Sequence, residues 1–130
     1  MEVRALATDA VVLLDGAVVL LERAHAPHEG EWVLPGGFVD PGERAREACV
    51  REAREEVGLA VDPVAFVGLY DDPGRDERGN VSAAYLCRPT ESEPAPEARS
   101  EAHRVEAFAP DDLPKMGFDH TEIVYDALTP

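Results

Sequence analysis

The stretch Gly37-Phe38-Val39-Asp40-Pro41-Gly42-Glu43-Arg44-Ala45-Arg46-Glu47-Ala48-Cys49-Val50-Arg51-Glu52-Ala53-Arg54-Glu55-Glu56-Val57-Gly58-Leu59 decides how this chain is read. It predicts a helix that runs to about Val57 and is closed by Gly58. Asp40 as N-cap, Pro41 after it and Glu43 at the third position predict its start. Advancing about 100° per residue from Ala45 brings Ala45, Cys49, Ala53 and Val57 onto one arc, the face expected to meet the core. Glu52 and Glu56 fall inside the edge of that arc and Glu55 flanks it. Carboxylates crowded on the margin of an apolar face repel one another and take up protons. A hard divalent cation such as Mg²⁺ removes the conflict and keeps waters available for phosphates. The same residues also suit a solvated acidic edge paired to Arg51 and Arg54.

Outward from this segment the chain alternates apolar runs and turns. Asp15-Gly16 between the runs Arg4–Leu14 and Ala17–Leu21 predicts a hairpin. Glu31–Leu34 predicts a short strand stopped by Pro35-Gly36-Gly37, and Phe38-Val39 an extended pair. Strands are expected over Val64–Tyr70, Val81–Leu86 and Val105–Phe108. A Glu- and Pro-rich loop is expected over Pro89–Ser100, and a last helix capped by Asp119 and Glu122. Strands with two separated helices predict α+β or a mixed-sheet α/β sandwich.

Composition narrows the function. The chain has 130 residues, 45% of them hydrophobic, which is enough for one packed domain over residues 1–130. No apolar run reaches membrane-helix length and no secretion signal is legible, so a cytoplasmic protein with no membrane partner is expected. Two cysteines without a CxxC exclude a disulfide framework and a zinc knuckle. A formal net charge of −15 argues against a nucleic-acid polymer as partner. A small phosphorylated substrate then requires a metal or a local arginine cluster. Lys115 is the single lysine. Acidic, lysine-poor composition suits a high-salt habitat, and it equally suits an acidic protein from a GC-rich genome.

Gly37-x5-Glu43-x7-Arg51-Glu52-Ala53-x-Glu55-Glu56-x-Gly58-Leu59 resembles the full Nudix box, with Ala53 smaller than the bulky aliphatic usual there. Gly30-x-Trp32-x-Leu34-Pro35-Gly36-Gly37 resembles the family's lead-in. The resemblance implies an α/β/α sandwich with a mixed sheet in which residues 37–59 form a loop–helix–loop. It also implies hydrolysis of a nucleoside diphosphate linked to another moiety, with Mg²⁺ or Mn²⁺ as cofactor. By position, Glu52, Glu55 and Glu56 resemble the family's metal ligands, with Glu52 and Glu56 also counted as catalytic. Gly37 resembles the residue offering its carbonyl to a metal, and Glu43 and Arg51 the structural pair. The general base lies in the box in some relatives and on a later loop in others. That loop carries Glu91, Glu93, Glu97 and Glu101 here, and Glu101 is the candidate.

Tyr70–Ser82, with Arg75-Asp76-Glu77-Arg78 within it, resembles the Arg-Asp-Pro-Arg-Gly loop of small ADP-ribose pyrophosphatases, with Glu77 in place of Pro. Phe118-Asp119-His120 also resembles that subgroup. ADP-ribose, cleaved to AMP and ribose 5-phosphate, is therefore the expected substrate. Arg23, Arg75 and Arg78 are the expected anion-binding groups, since a guanidinium grips diphosphate through a bidentate fork. The alternatives are a sanitiser of oxidised nucleoside triphosphates and a non-catalytic Nudix-fold sensor. His120 is expected to be no more than a residue in a helix's first turn, and His25 and His28 have no predicted partner. Trp32 and Tyr85 are expected in the core or the pocket wall, with Trp32 a candidate stacking surface. Relatives are often homodimers, so the resemblance implies a homodimer.

Overall fold

The computed structural model describes residues 1–100 and 102–129. Its strands are β1 (Leu6–Leu14), β2 (Ala17–Arg23), β3 (Trp32–Val33), β4 (Gly36–Phe38), β5 (Val61–Tyr70), β6 (Val81–Pro89) and β7 (Ala102–Phe108). The helices are α1 (Ala45–Val57), between β4 and β5, and α2 (His120–Leu128). The sheet runs β3-β2-β1-β6-β5, with β4 added on β1 and β7 on β2. The β1–β6 pairing is parallel and the others are antiparallel, so the sheet is mixed.

Strand alternation sorts the core into two layers. Ala10, Val12, Val19 and Leu21 pack under α1 against Cys49, Ala53 and Val57. Val11, Val18 and Leu20 point the other way and meet Ile123 and Val124 of α2. A helix on each face of a mixed sheet is the α/β/α sandwich expected. The β1–β2 turn carries Asp15 at φ 51° and Gly16 at φ 81°, two consecutive left-handed residues as a two-residue hairpin requires.

Helix α1 begins at Ala45, five residues beyond the expected cap. Gly42 sits at φ 84°, outside helical space, and Asp40 N–H donates to Glu43 Oε1 at 3.0 Å within a local turn. The working cap comes later, where Arg44 N–H donates to Glu47 Oε1 at 2.8 Å. At the other end Gly58 takes φ 69° and its N–H reaches Arg54 O at 3.1 Å, the predicted stop. α2 starts after Asp119 as predicted, but the Asp119 carboxylate caps nothing because Arg75 holds it. Strand β4 begins at Gly36, inside the segment expected to break the chain. The backbone of Gly36 and Gly37 pairs with Asp9 and Thr8, and this brings the loop ahead of α1 onto the central strand.

Candidate active site

Where β4 and α1 meet, a cavity of about 350 Å³ opens, lined on one side by Gly36, Gly37, Glu52, Glu55 and Glu56. The helical arithmetic holds: Glu52 and Glu56 are half-buried and Glu55 is exposed. Gly36 N–H donates to Glu56 Oε1 at 2.7 Å. A Cβ on Gly37 would stand 2.5 Å from Glu52 Cδ, so only glycine lets this carboxylate lie against the strand. Burial pushes the Glu56 carboxyl up to about 8; the Gly36 N–H opposes this, and the charges of Glu52 and Asp9 add to it. Burial also raises Glu52, against the pull of Arg51.

Arg51 ties this wall together. Its Nε and Nη2 donate to the two oxygens of Glu43 at 2.8 and 3.0 Å, and Nη2 also reaches Phe38 O at 3.0 Å. Its Nη1 donates to Glu52 at 2.8 Å and Glu55 at 3.2 Å. The guanidinium holds Glu43 down at about 2, helped by the Asp40 N–H. Glu43 and Arg51 thus form the loop-to-helix link expected of them. Among the described residues no three acidic, histidine or cysteine side chains converge as a ready metal cluster, because Arg51 draws Glu52 and Glu55 while Glu56 takes a backbone N–H. The donors still fit a hard divalent cation: they are all carboxylate or carbonyl oxygens, two of the carboxylates are desolvated, and burial raises the proton affinity of both.

The same cavity also has a basic and aromatic lining. Arg78 lies 5.9 Å from the Phe38 ring centroid and 5.7 Å from that of Phe118, and Arg23 lies 5.7 Å from Phe118. Arg23 Nε donates to Pro27 O at 2.6 Å. Arg78 pairs with Asp76 through two donors yet keeps 42% of its side chain exposed. Arg75 differs. It lines the cavity, but its side chain is 4% exposed and binds both oxygens of Asp119 at 2.8 Å and Asn80 O at 3.1 Å. All three expected arginines therefore border one cavity, and Arg75 is already committed to protein partners.

Glu101 lies outside the described residues. The preceding loop folds over the end of α1: Glu97 N–H reaches Val57 O, Arg99 N–H reaches Glu56 O, and Ser100 borders the cavity. The Glu97 carboxylate pairs with Arg99. Trp32 does not border the cavity; its ring packs edge-on against Phe108 at 5.0 Å with Arg104 above it at 5.1 Å. His28 does have a partner, Glu31, at 2.5 Å.

The sequence reading missed a buried polar group beneath the loop. Asp9 accepts from Ser82 Oγ at 2.5 Å, and its other oxygen stands 3.3 Å from His120 Nε2. Burial opposes ionisation of Asp9, but His120, Ser82 and Arg75 outweigh it and hold the carboxyl below its ordinary value. His120 is buried and not a bare first-turn residue, because α2 lies against the loop ahead of α1. The available signal was Asp9 itself, a lone acid inside the apolar run Leu6–Leu14.

A model of the NUDIX domain matches residues 3–127. The chain belongs to the Nudix hydrolase family. It is 38% identical over 125 residues to an ADP-ribose pyrophosphatase of Methanocaldococcus jannaschii, covering 95% of this chain and 73% of that one. It is 46% identical over 56 residues to a putative 8-oxo-dGTP diphosphatase of Bacillus subtilis, covering 43% of this chain and 36% of that protein. Among solved structures, an ADP-ribose pyrophosphatase from Streptococcus suis superposes with a TM-score of 0.78 at 27% identity, covering 97% of this chain and 90% of that one. No helix among the described residues is long and apolar enough to cross a membrane.

Proposed function

We propose that this Nudix domain hydrolyses the pyrophosphate linkage of ADP-ribose, giving AMP and ribose 5-phosphate, with Mg²⁺ or Mn²⁺ held by Glu52, Glu55, Glu56 and the Gly37 carbonyl. The observation that carries this reading is one cavity of about 350 Å³ lined both by the carboxylates Glu52, Glu55 and Glu56 and by the guanidinium groups of Arg23 and Arg78 with the Phe38 and Phe118 rings. A bound divalent ion would neutralise pyrophosphate charge and lower the pKa of a water. The chain's own residues do the rest. Glu56, oriented by Gly36 N–H, and Glu52, backed by Gly37, supply the oxygen donors. Arg78 and Arg23 offer N–H groups to the diphosphate, and the Phe38 and Phe118 rings flank them. Glu101 is the candidate to accept the proton of the attacking water.

ADP-ribose as the substrate is supported by the archaeal relative, whose likeness extends along nearly all of this chain. An oxidised nucleoside triphosphate is the second reading, favoured by the Bacillus relative over a shorter segment. The intact set Glu52, Glu55 and Glu56 stands against a non-catalytic sensor. The test is a panel of nucleoside diphosphate derivatives and triphosphates with Mg²⁺ and with Mn²⁺, products identified. AMP and ribose 5-phosphate from ADP-ribose, as the preferred reaction, is the expected result. Release of free pyrophosphate from an oxidised triphosphate at higher kcat/KM would move the assignment to the second reading.

A further inference from the structure

Three consecutive residues lead from the core to the acidic wall, and each carries a hydrogen bond besides the strand pairing of Gly36 with Asp9. Leu34 N–H donates to His120 Nδ1 at 2.9 Å. Pro35 O accepts from Ala10 N–H at 2.8 Å. Gly36 N–H donates to Glu56 Oε1 at 2.7 Å. Leu34 is buried, so no water can replace the imidazole as its acceptor. Because Nδ1 accepts, the neutral ring carries its proton on Nε2, which faces Asp9 Oδ1 at 3.3 Å. Asp9 in turn lies directly beneath the loop: a Cβ on Gly36 would stand 2.5 Å from that same Asp9 oxygen. Arg75 closes the frame by gripping Asp119, the residue before His120.

We propose that His120 is a positioning residue for Glu56, acting through the Leu34 amide to hold the 34–36 loop where Gly36 N–H orients one Glu56 oxygen and leaves the other for the metal. Asp9 sets the tautomer that makes this possible, much as a carboxylate behind a histidine ligand does in metal sites. The inference rests on the hydrolase reading above for what the oriented carboxylate does. The hydrogen-bonded relay itself stands independently of it.

Two substitutions separate the relay from simple packing. His120→Asn attaches its side-chain oxygen where Nδ1 was, so it can keep the acceptor for Leu34. His120→Gln carries a polar group nearer Nε2 and loses that acceptor. The metal-free chain is titrated with Mn²⁺ and the free ion followed by electron paramagnetic resonance, with amide exchange measured at Leu34 and Gly36. His120→Gln should weaken Mn²⁺ binding about 10–100-fold, while His120→Asn should stay within about threefold of the unsubstituted protein. Equal losses in the two variants, or a milder loss in His120→Gln, would overturn the proposal, because the ring would then act through its volume or through Asp9 alone. Should a variant fail to fold, the unsubstituted protein still decides. A scalar coupling between the Leu34 amide nitrogen and His120 Nδ1 should be present, and the Leu34 and Gly36 amides should open to exchange together. Absence of the coupling, or independent opening, would sink the relay. If the unsubstituted protein neither binds Mn²⁺ nor hydrolyses a nucleotide, the hydrolase reading has failed, and the coupling measurement still reports on the relay.

Discussion

The two walls of the cavity are built in opposite ways. The acidic wall is local: Gly36, Gly37, Glu52, Glu55 and Glu56 lie within 21 residues of one another, and behind them Arg51 holds Glu52 and Glu55 together with Glu43. The basic wall is assembled from afar, with Arg23 at the end of β2, Arg75 and Arg78 in the β5–β6 loop, and Phe118 just ahead of α2. The acidic wall keeps its charges uncomfortable, with Glu56 raised to about 8. The basic wall balances its charges internally, Arg75 with Asp119 and Arg78 with Asp76. A wall of desolvated carboxylates is poised to recruit a cation, whereas a wall of paired arginines must exchange partners to meet an anion.

The sharpest way to break this contrast is Glu56→Gln. It should lower kcat roughly 10²–10³-fold, the cost of removing one preorganised electrostatic group, while leaving the fold intact. A loss below about tenfold with unchanged Mn²⁺ affinity would remove Glu56 from the metal site.

The arginines test the other wall. Arg75→Ala leaves the largely buried Asp119 without its bidentate partner, while Asp9 keeps Ser82 and His120, and should cost about 3–5 kcal/mol in urea unfolding, the usual penalty for breaking a buried pair. Arg78→Ala leaves the buried Asp76 its Arg78 backbone N–H and Asn80 partners, so it should cost less stability than Arg75→Ala, and it should raise KM for ADP-ribose. If Arg75→Ala is stable and raises KM instead, Arg75 leaves Asp119 to bind substrate. Arg51→Ala sits between these cases. It releases Glu43, Glu52 and Glu55, and some stability, less than Arg75→Ala costs, should go with the activity. Unchanged unfolding with lost activity would mean that Arg51 touches substrate.

The contrast also explains what could be read from the sequence. The spacing of residues 37–59 placed three glutamates on the edge of one helix because a helix makes sequence separation into geometry. The α1 start was misread because Asp40 and Glu43 have the spacing of a capping box; Glu43 does accept the Asp40 N–H, but Gly42 at φ 84° breaks the turn there and the helix starts at Ala45. The Arg75 pairing and the His120 relay join positions 44 and 86 residues apart, and no local pattern announces them. Asp119 and Glu122 resembled a capping box by spacing alone, while a tertiary partner had claimed the aspartate.

The raised Glu56 carboxyl has a consequence for pH. Its ordinary value is 4.5 and its folded value about 8, so the folded metal-free chain holds a proton that the unfolded chain releases. That contribution is complete below pH 4.5 and fades as pH rises through about 8. Glu43 has the opposite sign: held at about 2, it stabilises the fold above pH 4.5 and loses its contribution as pH falls toward 2. Summed over these two groups, the contribution to stability of the metal-free protein is largest near pH 4.5 and should fall on either side of it. With Glu56 as a ligand, Mg²⁺ would have to displace its proton, so the gain in Tm on adding the ion should be larger at high pH than at low pH. An equal gain at both would mean that the ion binds without Glu56.

The smallest effect concerns bulk charge. With a net charge of −15, mutual repulsion among surface carboxylates opposes the compact state. Molar KCl shortens the Debye length to about 3 Å and screens that repulsion, so Tm should rise across a KCl series if the acidic composition is an adaptation to salt. The two walls should respond differently to the same series. The exposed Arg78 would hold a diphosphate more weakly, raising KM, while the half-buried Glu52 and Glu56 would be screened less from a cation bound between them, and kcat should change little. A Tm that is flat or falling with KCl would mean that the acidic surface carries no salt adaptation. A kcat that falls in step with the rise in KM would mean that the acidic wall is as open to solvent as the basic one.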